Sequence, residues 1–298
     1  MIIGYVRKHN RQYEKKIEVI RKIIRMIFLK VKIERIGNDV MFLLPNYKKY
    51  NKILLKIFSW QINMYAKRFN INQLIIEKDL QFPKESFRTI YKSNGKLIMR
   101  KKMMQIFEYI FSINKENINL ENVYVLVNEY TKQNIYAISK LVETFKTVNI
   151  VTENIRRFRM LENSLFSKGI LITVSNNKRK SLKNAKYIIN IDFDKIRILM
   201  YNIKSNSIII NLADEDIKLK NNFNGVLVNN FELEVNSNKT CFINEFYGNI
   251  DVKIFLEMMI KRNIKNLEYI KEIDEEYSTK IKCLTGVRGR LENNEFLV

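Results

Sequence analysis

The chain has 298 residues, of which 46% are hydrophobic and 11% aromatic, so it is long and apolar enough for two folded domains and is not a disordered polypeptide. Lys and Arg number 53 against 31 Asp and Glu, which gives a net charge of +22. An excess of this size is typical of proteins that bind a polyanion. Codon usage in an AT-rich genome also enriches lysine, so the net charge alone does not decide between the two explanations.

Neither a signal peptide nor a membrane-spanning helix is predicted. The chain starts with MIIGYVRKHNRQYEKK, which has no sustained apolar run followed by small residues at a cleavage site. The most apolar later stretch, residues 17–31, is interrupted by charged residues. Cys241 and Cys283 lie far apart without a CxxC spacing, which favours buried free thiols. We therefore expect no membrane partner and a cytoplasmic location.

The first part of the chain alternates between strand and helix patterns. In its longest predicted helix, Ile53, Ile57, Trp60 and Met64 recur every three or four positions, as on one face of a helix. The predicted elements in chain order are a strand at 1–8, a helix at 12–28, a hairpin around Gly37 and Asn38, a helix at 47–69, a strand at 72–80 and a helix at 95–113. They predict a mixed α/β domain over residues 1–115, before a polar boundary at 114–122.

Short apolar runs alternate with helical patterns between Val123 and Asn229. Continuous runs such as VYVLV are typical of strands that are buried on both faces of a parallel sheet. The helix predicted at 133–147 is long enough to cross back over a strand and start a parallel neighbour. The further predicted strands are NIVT, ILITV, YIINI, SIIIN and GVLVN, with another helix at 155–167. This order predicts a Rossmann-like parallel-sheet domain over residues 116–235.

The last part of the chain, residues 236–298, is predicted as a C-terminal helical segment that packs back on the seam between the domains. Its helical spacing runs from about 250 to 276. The fold class predicted for the whole chain is therefore α/β, with a mixed N-terminal domain, a Rossmann-like parallel-sheet domain and this helical segment.

Three segments of the second domain resemble an enzyme family. They are LKNAKYIINIDFD at 182–194, SIIINLADE at 207–215 and NNFNGVLVNNFEL at 221–233. In the pattern and the order of their elements they resemble two-domain NAD(P)-dependent enzymes of the shikimate-dehydrogenase and glutamyl-tRNA-reductase type. The resemblance implies an N-terminal catalytic domain, a dinucleotide-binding second domain, and NAD or NADP as the cofactor.

The chain departs from that family at the first turn between strand and helix. This turn is rich in glycine in dinucleotide sites, because a Cβ blocks the approach of the pyrophosphate to backbone amides. Here it reads NEYTKQN, with no glycine and with Glu129 where a negative charge opposes phosphate. Lys132 could partly offset that charge.

Ligands of open α/β sheets bind beyond the carboxyl ends of the strands, so the polar residues at these ends are the candidate site. Glu153 stands where an acidic residue would bind an adenine ribose, or it caps the next helix together with Asn154. Arg156 and Arg157 could instead receive a 2′-phosphate. The predicted ligand-binding residues are Asn128, Lys132, Glu153, Arg156, Asn176, Asn177, Lys178, Arg179 and Asp192.

The segment NNKRKS, from Asn176 to Ser181, is the densest basic cluster of the second domain. It could hold a phosphate on Lys178, Arg179 and Lys180, or it is an ordinary turn with solvated lysines. Asp192 and Asp194 could coordinate a cation or act as a base, but no third ligand is visible near them, so no metal site is predicted. No catalytic residue is predicted either, and whether the chain is an enzyme is left open.

Together these observations predict a divergent dehydrogenase-like protein that binds a nucleotide or another small anionic ligand in an interdomain cleft, with or without catalysis. The alternative is a nucleic-acid-associated basic protein that uses its lysine-rich surface. The sequence makes no prediction about the oligomeric state.

Overall fold

The computed structural model describes residues 3–12, 31–46, 50–87, 91–92, 94–167, 169–219, 223–234, 250–262 and 279–297. The predicted helix at 12–28 lies outside these residues except at its first position. Backbone contacts divide the chain into two compact units, Met1–Gly95 with Val235–Thr279 and Lys96–Glu234 with Lys280–Val298. In this division the predicted helix at 95–113 belongs to the second unit. The predicted domain limits after residues 115 and 235 stay a prediction.

The described α-helices are α1 Lys52–Arg68, α2 Lys96–Lys101, α3 Met103–Asn114, α4 Lys132–Thr144, α5 Ile155–Phe166, α6 Lys195–Leu199 and α7 Val252–Arg262. The strands are β1 Ile3–Gln12, β2 Lys32–Ile36, β3 Asp39–Asn46, β4 Gln73–Ile76, β5 Tyr91–Lys92, β6 Asn122–Leu126, β7 Thr147–Val151, β8 Ile172–Ser175, β9 Tyr187–Asn190, β10 Ile208–Asn211, β11 Val226–Val228, β12 Asn230–Glu234, β13 Lys280–Gly286 and β14 Gly289–Arg290. Short 3-10 helices are Lys84–Phe87, Ile118–Leu120 and Asn293–Phe296.

The first unit is built on a five-stranded sheet in the order β2-β3-β1-β4-β5. Strands β2 and β3 form the predicted antiparallel hairpin, and Gly37 in its turn has a φ of +58°. This positive φ costs little only without a Cβ, which explains the glycine. The other pairings are parallel. The described part of this unit is thus the mixed α/β structure that the sequence predicts.

Helix α1 packs one apolar face into the core of the first unit. Its N-terminus is capped by Asn51, whose Oδ1 accepts from the Leu54 amide at 2.8 Å. The helix predicted at 47–69 starts five residues before α1 does. Pro45 and Asn46, directly before the predicted start, belong to β3. The buried residues of α1 are Leu54, Leu55, Phe58, Ser59, Ile62 and Ala66. The predicted stripe of Ile53, Trp60 and Met64 is on the other side and is exposed.

The second unit contains a six-stranded sheet in the order β11-β10-β9-β6-β7-β8, with every pair parallel. The direction of winding reverses between β6 and β9, as in doubly wound α/β folds. The predicted Rossmann-like parallel sheet is therefore confirmed. Strands β9, β10 and β11 are buried at every position, so both of their faces are covered, which explains their continuous apolar runs.

The two halves of this sheet have different covers. Helices α4 and α5 make full crossovers from β6 to β7 and from β7 to β8. Before β9 the chain forms successive turns at 178–184. Only the five-residue α6 connects β9 to β10, and no helix is described between β10 and β11. The half of the sheet from β9 to β11 is consequently covered by short and irregular segments.

Gly225 allows β11 to approach β10. A Cβ built at this position would lie 2.0 Å from the Ser207 carbonyl oxygen and 2.8 Å from the Ser207 amide nitrogen. Any side chain would therefore collide with the backbone of the neighbouring strand. The glycine is required by close contact and not by its own φ.

The C-terminal segment contains one described helix, α7, followed by a hairpin. Strands β13 and β14 pair antiparallel, and β13 also pairs with β12 to form a three-stranded sheet. Cys283 on β13 is buried and free, in agreement with the predicted free thiol, whereas Cys241 lies outside the described residues. Among the described helices, none combines the length and the apolar character that crossing a bilayer requires.

Candidate ligand-binding site

The turn after β6 is occupied by the carboxylate of Asp192. One carboxylate oxygen accepts from the Asn128 amide at 2.7 Å, and the other accepts from the Glu129 amide at 2.8 Å and from Asn134 Nδ2 at 3.2 Å. These amides follow the first strand, where a dinucleotide would place its pyrophosphate. An internal anion therefore already satisfies the amides that a phosphate would need.

The carboxyl of Asp192 is also affected by its surroundings. Burial is the largest influence and raises its pKa, while the hydrogen bonds from the Glu129 and Asn128 amides oppose this effect. The net result is a pKa above the ordinary value of an aspartate. Burial of the charged Asp192 carboxylate thus costs desolvation free energy, which its hydrogen bonds to the two amides offset only in part.

Asn128 joins the ends of β6 and β7. Its Oδ1 accepts from the Glu153 amide at 2.7 Å and from Thr152 Oγ1 at 3.2 Å. The Glu153 carboxylate lies 3.5 Å from Arg197 Nε on α6. Asn154 occupies the cap position of α5 without a side-chain cap bond. Three predicted residues, Asn128, Glu153 and Asp192, are therefore brought together, and their polar atoms are largely satisfied by one another.

The predicted cations remain apart from this cluster. Lys132 and Arg156 are exposed and have no ion pair within the described ranges. In the loop after β8, Asn177 Oδ1 accepts from the Arg179 and Lys180 amides at 3.1 and 3.0 Å. This is the geometry of an Asn-capped turn. In the same loop, Asn176 is exposed and Lys178 Nζ lies 3.2 Å from Met200 Sδ.

Three asparagines form a buried ladder across the ends of β9, β10 and β11. Asn190 Nδ2 donates to Asn211 Oδ1 at 2.8 Å, and Asn211 Nδ2 donates to Asn229 Oδ1 at 2.9 Å. All three side chains are buried. This ladder was not predicted, although the repeated endings YIIN, IIIN and VLVN are its signal in the sequence.

Two cations of α2 close the rim beside that ladder. Lys96 is buried, and its Nζ donates to the carbonyl oxygens of Asn211, at 3.0 Å, and of Asn229. Arg100 Nε donates to the Leu212 carbonyl oxygen at 3.0 Å. Neither residue was predicted as part of the rim, because the sequence shows only that the two cations are four residues apart. The rim at β10 and β11 is therefore filled from within the unit.

A cavity of about 180 Å³ opens where the cover of the sheet is thin. It is lined by Ile198, Leu199, Tyr201, Asn202, Ile203, Ser205, Leu219 and Phe223. Tyr201 is only 6% exposed, and its hydroxyl has no hydrogen-bond partner among the residues that the structure describes. Burial, followed by the nearby Glu153 carboxylate, raises the pKa of Tyr201. Its hydroxyl is therefore a protonated donor at neutral pH.

The comparisons with known proteins are sparse. No family model matches the chain. Protein Ycf2 of Physcomitrium patens is 28% identical over 226 residues, which are 66% of this chain. The chain spans 9% of the length of that curated relative.

Similarity to solved structures is found with aspartate transcarbamoylase from Trypanosoma cruzi. The form in complex with aspartate and phosphate is 10% identical, with 73% of this chain and 72% of that chain covered and a TM-score of 0.27. The ligand-free form is 9% identical, with the same coverage and a TM-score of 0.26. Scores this low carry no argument about the function of the chain.

These comparisons correct the predicted family. The similar solved structures are aspartate carbamoyltransferases, so the resemblance to shikimate dehydrogenase and glutamyl-tRNA reductase is wrong. The dehydrogenase-like function with a nucleotide or small anion in an interdomain cleft, and the NAD(P)-binding character, are also wrong, because the amides after β6 that a pyrophosphate would need already bind a side-chain carboxylate. The carboxylate of Asp192 gives the physical cause, since it occupies the pyrophosphate position. The alternative of a nucleic-acid-associated basic protein gains no support from the similar structures.

Proposed function

We propose that the second unit binds a small molecule, with an apolar frame and one acceptor oxygen, in the cavity beside Tyr201. The observation that carries this proposal is the buried Tyr201, which lines the cavity together with five apolar residues and whose hydroxyl has no hydrogen-bond partner among the described residues. An unpaired buried hydroxyl costs about 1–3 kcal/mol, which a ligand that accepts its hydrogen bond would recover. Among the described residues at the rim beside Asp192, no buried polar side-chain atom lacks a hydrogen-bond partner.

The size of the cavity supports a ligand built around a single ring. Its volume of about 180 Å³ compares with roughly 150 Å³ for an apolar cavity that binds benzene. Ile198, Ile203 and Phe223 offer the apolar surface. The exposed Asn202 and Ser205 leave a polar side that is compatible with entry from solvent.

Tyr201 determines which polar group the ligand must carry. Because the hydroxyl is protonated, it donates, and the ligand must present an acceptor such as a carbonyl or carboxylate oxygen. A small carboxylate remains a proposed partner, because the loop that contains Lys178, one of the predicted binding residues, adjoins the cavity. The Lys178 carbonyl oxygen accepts from the amide of Asn202 at 2.8 Å. The predicted cationic loop is thus directly next to a residue that lines the cavity.

A thermal-shift series tests this function. Acetophenone has a ring and an acceptor, benzoate has a ring and a charged acceptor, and toluene has the ring alone. We expect acetophenone or benzoate to raise the melting temperature with concentration according to RT ln(1 + [L]/Kd), and toluene to raise it less. Tyr201→Phe should remove the advantage of the acceptor compounds over toluene.

A blocking variant on α6 makes the test specific. Leu199→Trp fills the cavity, whereas Ile196→Trp adds the same side chain at a position that is 70% exposed and outside the lining. We expect the first to lose the thermal shift and the second to keep it. Absence of any shift at millimolar concentration, or an unchanged shift in Leu199→Trp, contradicts the proposal.

A cytoplasmic location is likewise a proposal. The free and buried thiol of Cys283 supports it, because cysteines of oxidising compartments are usually paired.

A further inference from the structure

Helix α1 carries an apolar stripe on the side opposite to its buried face. Ile53 is 67% exposed, Trp60 66% and Met64 45%, and Ile57 between them is partly exposed. Single exposed apolar residues are ordinary on protein surfaces, but four aligned on one helix are not. The core already receives the other face of α1, so the packing seen in the described part of the first unit does not account for this stripe.

The spacing of the stripe is that of a coiled-coil seam. Its four residues are separated by four, three and four positions, the alternation of a and d sites in a heptad. One apolar residue per turn makes a narrow stripe that fits the seam of a single partner helix. A helix that lies in a membrane surface instead immerses a broad apolar face, and the broad face of α1 is packed in the core.

The charges beside the seam indicate the chemistry of the partner. In this register Lys56 takes a g position within the seam, and Arg68 takes the e position of the turn that follows Met64; both are exposed. Helix α1 also carries Lys52 and Lys67 and contains no aspartate or glutamate. Residues at e and g choose coiled-coil partners by charge. A second copy of α1 would bring like charges together, whereas an acidic helix would pair with them.

We propose that this stripe of α1 docks a partner helix with apolar residues at its a and d positions and with glutamate or aspartate at its e and g positions. The seam from Ile53 to Met64 spans somewhat less than two heptads. Isolated helices of that length are marginal. Here α1 is already held by the core, so only the partner loses conformational entropy on binding.

Trp60 makes the proposal directly measurable, because it is the single tryptophan of the chain. The probe is a synthetic three-heptad peptide with leucine at a and d and glutamate at e and g, compared with a peptide that has lysine at e and g. We expect a saturable blue shift of tryptophan emission with the glutamate peptide. Its affinity should exceed that of the lysine peptide by roughly tenfold or more.

Matched variants separate the seam from general charge effects. Lys56→Glu combined with Arg68→Glu should reverse the preference between the peptides, while Lys52→Glu, at a c position outside the seam, should retain it. Met64→Glu should abolish binding, and Met160→Glu, at an exposed position of the second unit, should not. All these positions are exposed, and circular dichroism checks that each variant is folded.

Four results would overturn the proposal. The first is an unchanged Trp60 emission with the glutamate peptide, and the second is equal affinity for both peptides. The third is a shift of emission that depends on protein concentration alone. The fourth is a shift produced by phosphatidylglycerol vesicles or by oligonucleotides when the glutamate peptide produces none. The third would identify a second copy of the chain as the partner. The fourth would identify a lipid or nucleic-acid surface.

Discussion

At the scale of single residues, Asp192 decides what the second unit does not bind. Its two carboxylate oxygens take the amides of Asn128 and Glu129, which would otherwise be free to hold a phosphate. A carboxylate supplied by the chain needs no loss of translational freedom on binding, so an external anion competes at a disadvantage. The second unit thus has the strand order of a dinucleotide-binding fold, but the side chain of Asp192 takes the amides that dinucleotide binding would use.

The raised pKa of Asp192 predicts a specific pH dependence of stability. A carboxyl whose folded pKa lies above its unfolded value binds its proton more readily in the folded chain. Its contribution to stability is therefore fully present below the unfolded pKa and is lost as pH rises through the folded one. Asp192→Asn removes this titration. We expect the free energy of unfolding of the wild type, minus that of the variant, to increase as pH falls from about 7 to about 4.

Urea unfolding of both proteins at several pH values measures this difference. Subtracting the variant cancels the carboxyl groups that the two proteins share. A difference that stays constant, or that decreases toward low pH, would contradict the role of burial at Asp192.

At the scale of elements, the asparagine ladder holds the last three parallel strands in register. Asn211 is its centre, because its side chain bonds to Asn190, to Asn229 and to the Glu215 carbonyl oxygen. Each amide serves as donor and as acceptor, so the ladder places polar groups in the core with partners for them. Removing the centre leaves both neighbours without their cross-strand bonds.

We expect Asn211→Leu to lower the free energy of unfolding by about 2–4 kcal/mol, because at least two buried amide groups lose their partners. The matched variant is Asn163→Leu on the exposed side of α5, which should change stability by no more than about 0.5 kcal/mol. Denaturant titration of the two variants decides. Equal stabilities would mean that the ladder contributes nothing to the sheet.

The elements of this fold could be predicted where the signal is local. The runs YIIN and IIIN, the hairpin turn at Gly37 and the crossover patterns of α4 and α5 are contained in short stretches of sequence. Helix α1 marks the limit of such patterns. Ile53, Trp60 and Met64 show helical periodicity, but the helix is apolar on two sides, and only the tertiary packing selects the side that is buried.

The candidate site was less accessible to prediction because its contacts are distant in sequence. Lys96 reaches carbonyl oxygens more than a hundred residues further along the chain, and no local pattern indicates this. Asp192 was placed at the rim, but its hydrogen bonds to the turn after β6 depend on the strand order. The predicted family was wrong because many unrelated functions share this order of elements.

At the scale of the whole molecule, the chain passes between the two units three times. The breaks follow Gly95, Glu234 and Thr279, so the second unit is assembled from two separate stretches. The later stretch contributes β13, which pairs with β12 and places Leu284 opposite Phe231. Residues 96–234 alone would therefore leave Phe231, which is fully buried in the whole chain, without Leu284 opposite it.

This connectivity predicts that the second unit folds alone once its two stretches are joined. Glu234 and Lys280 are direct partners in the antiparallel pair of β12 and β13, so an Asn-Gly linker in place of residues 235–279 closes them into a two-residue hairpin. We expect the joined chain, 96–234 with 280–298, to unfold in one cooperative urea transition, and 96–234 without the hairpin partner to show none. Near-UV circular dichroism and urea titration compare the two. If the joined chain also lacks a cooperative transition, the second unit depends on the first for its stability, because its own sheets and covering helices are then insufficient.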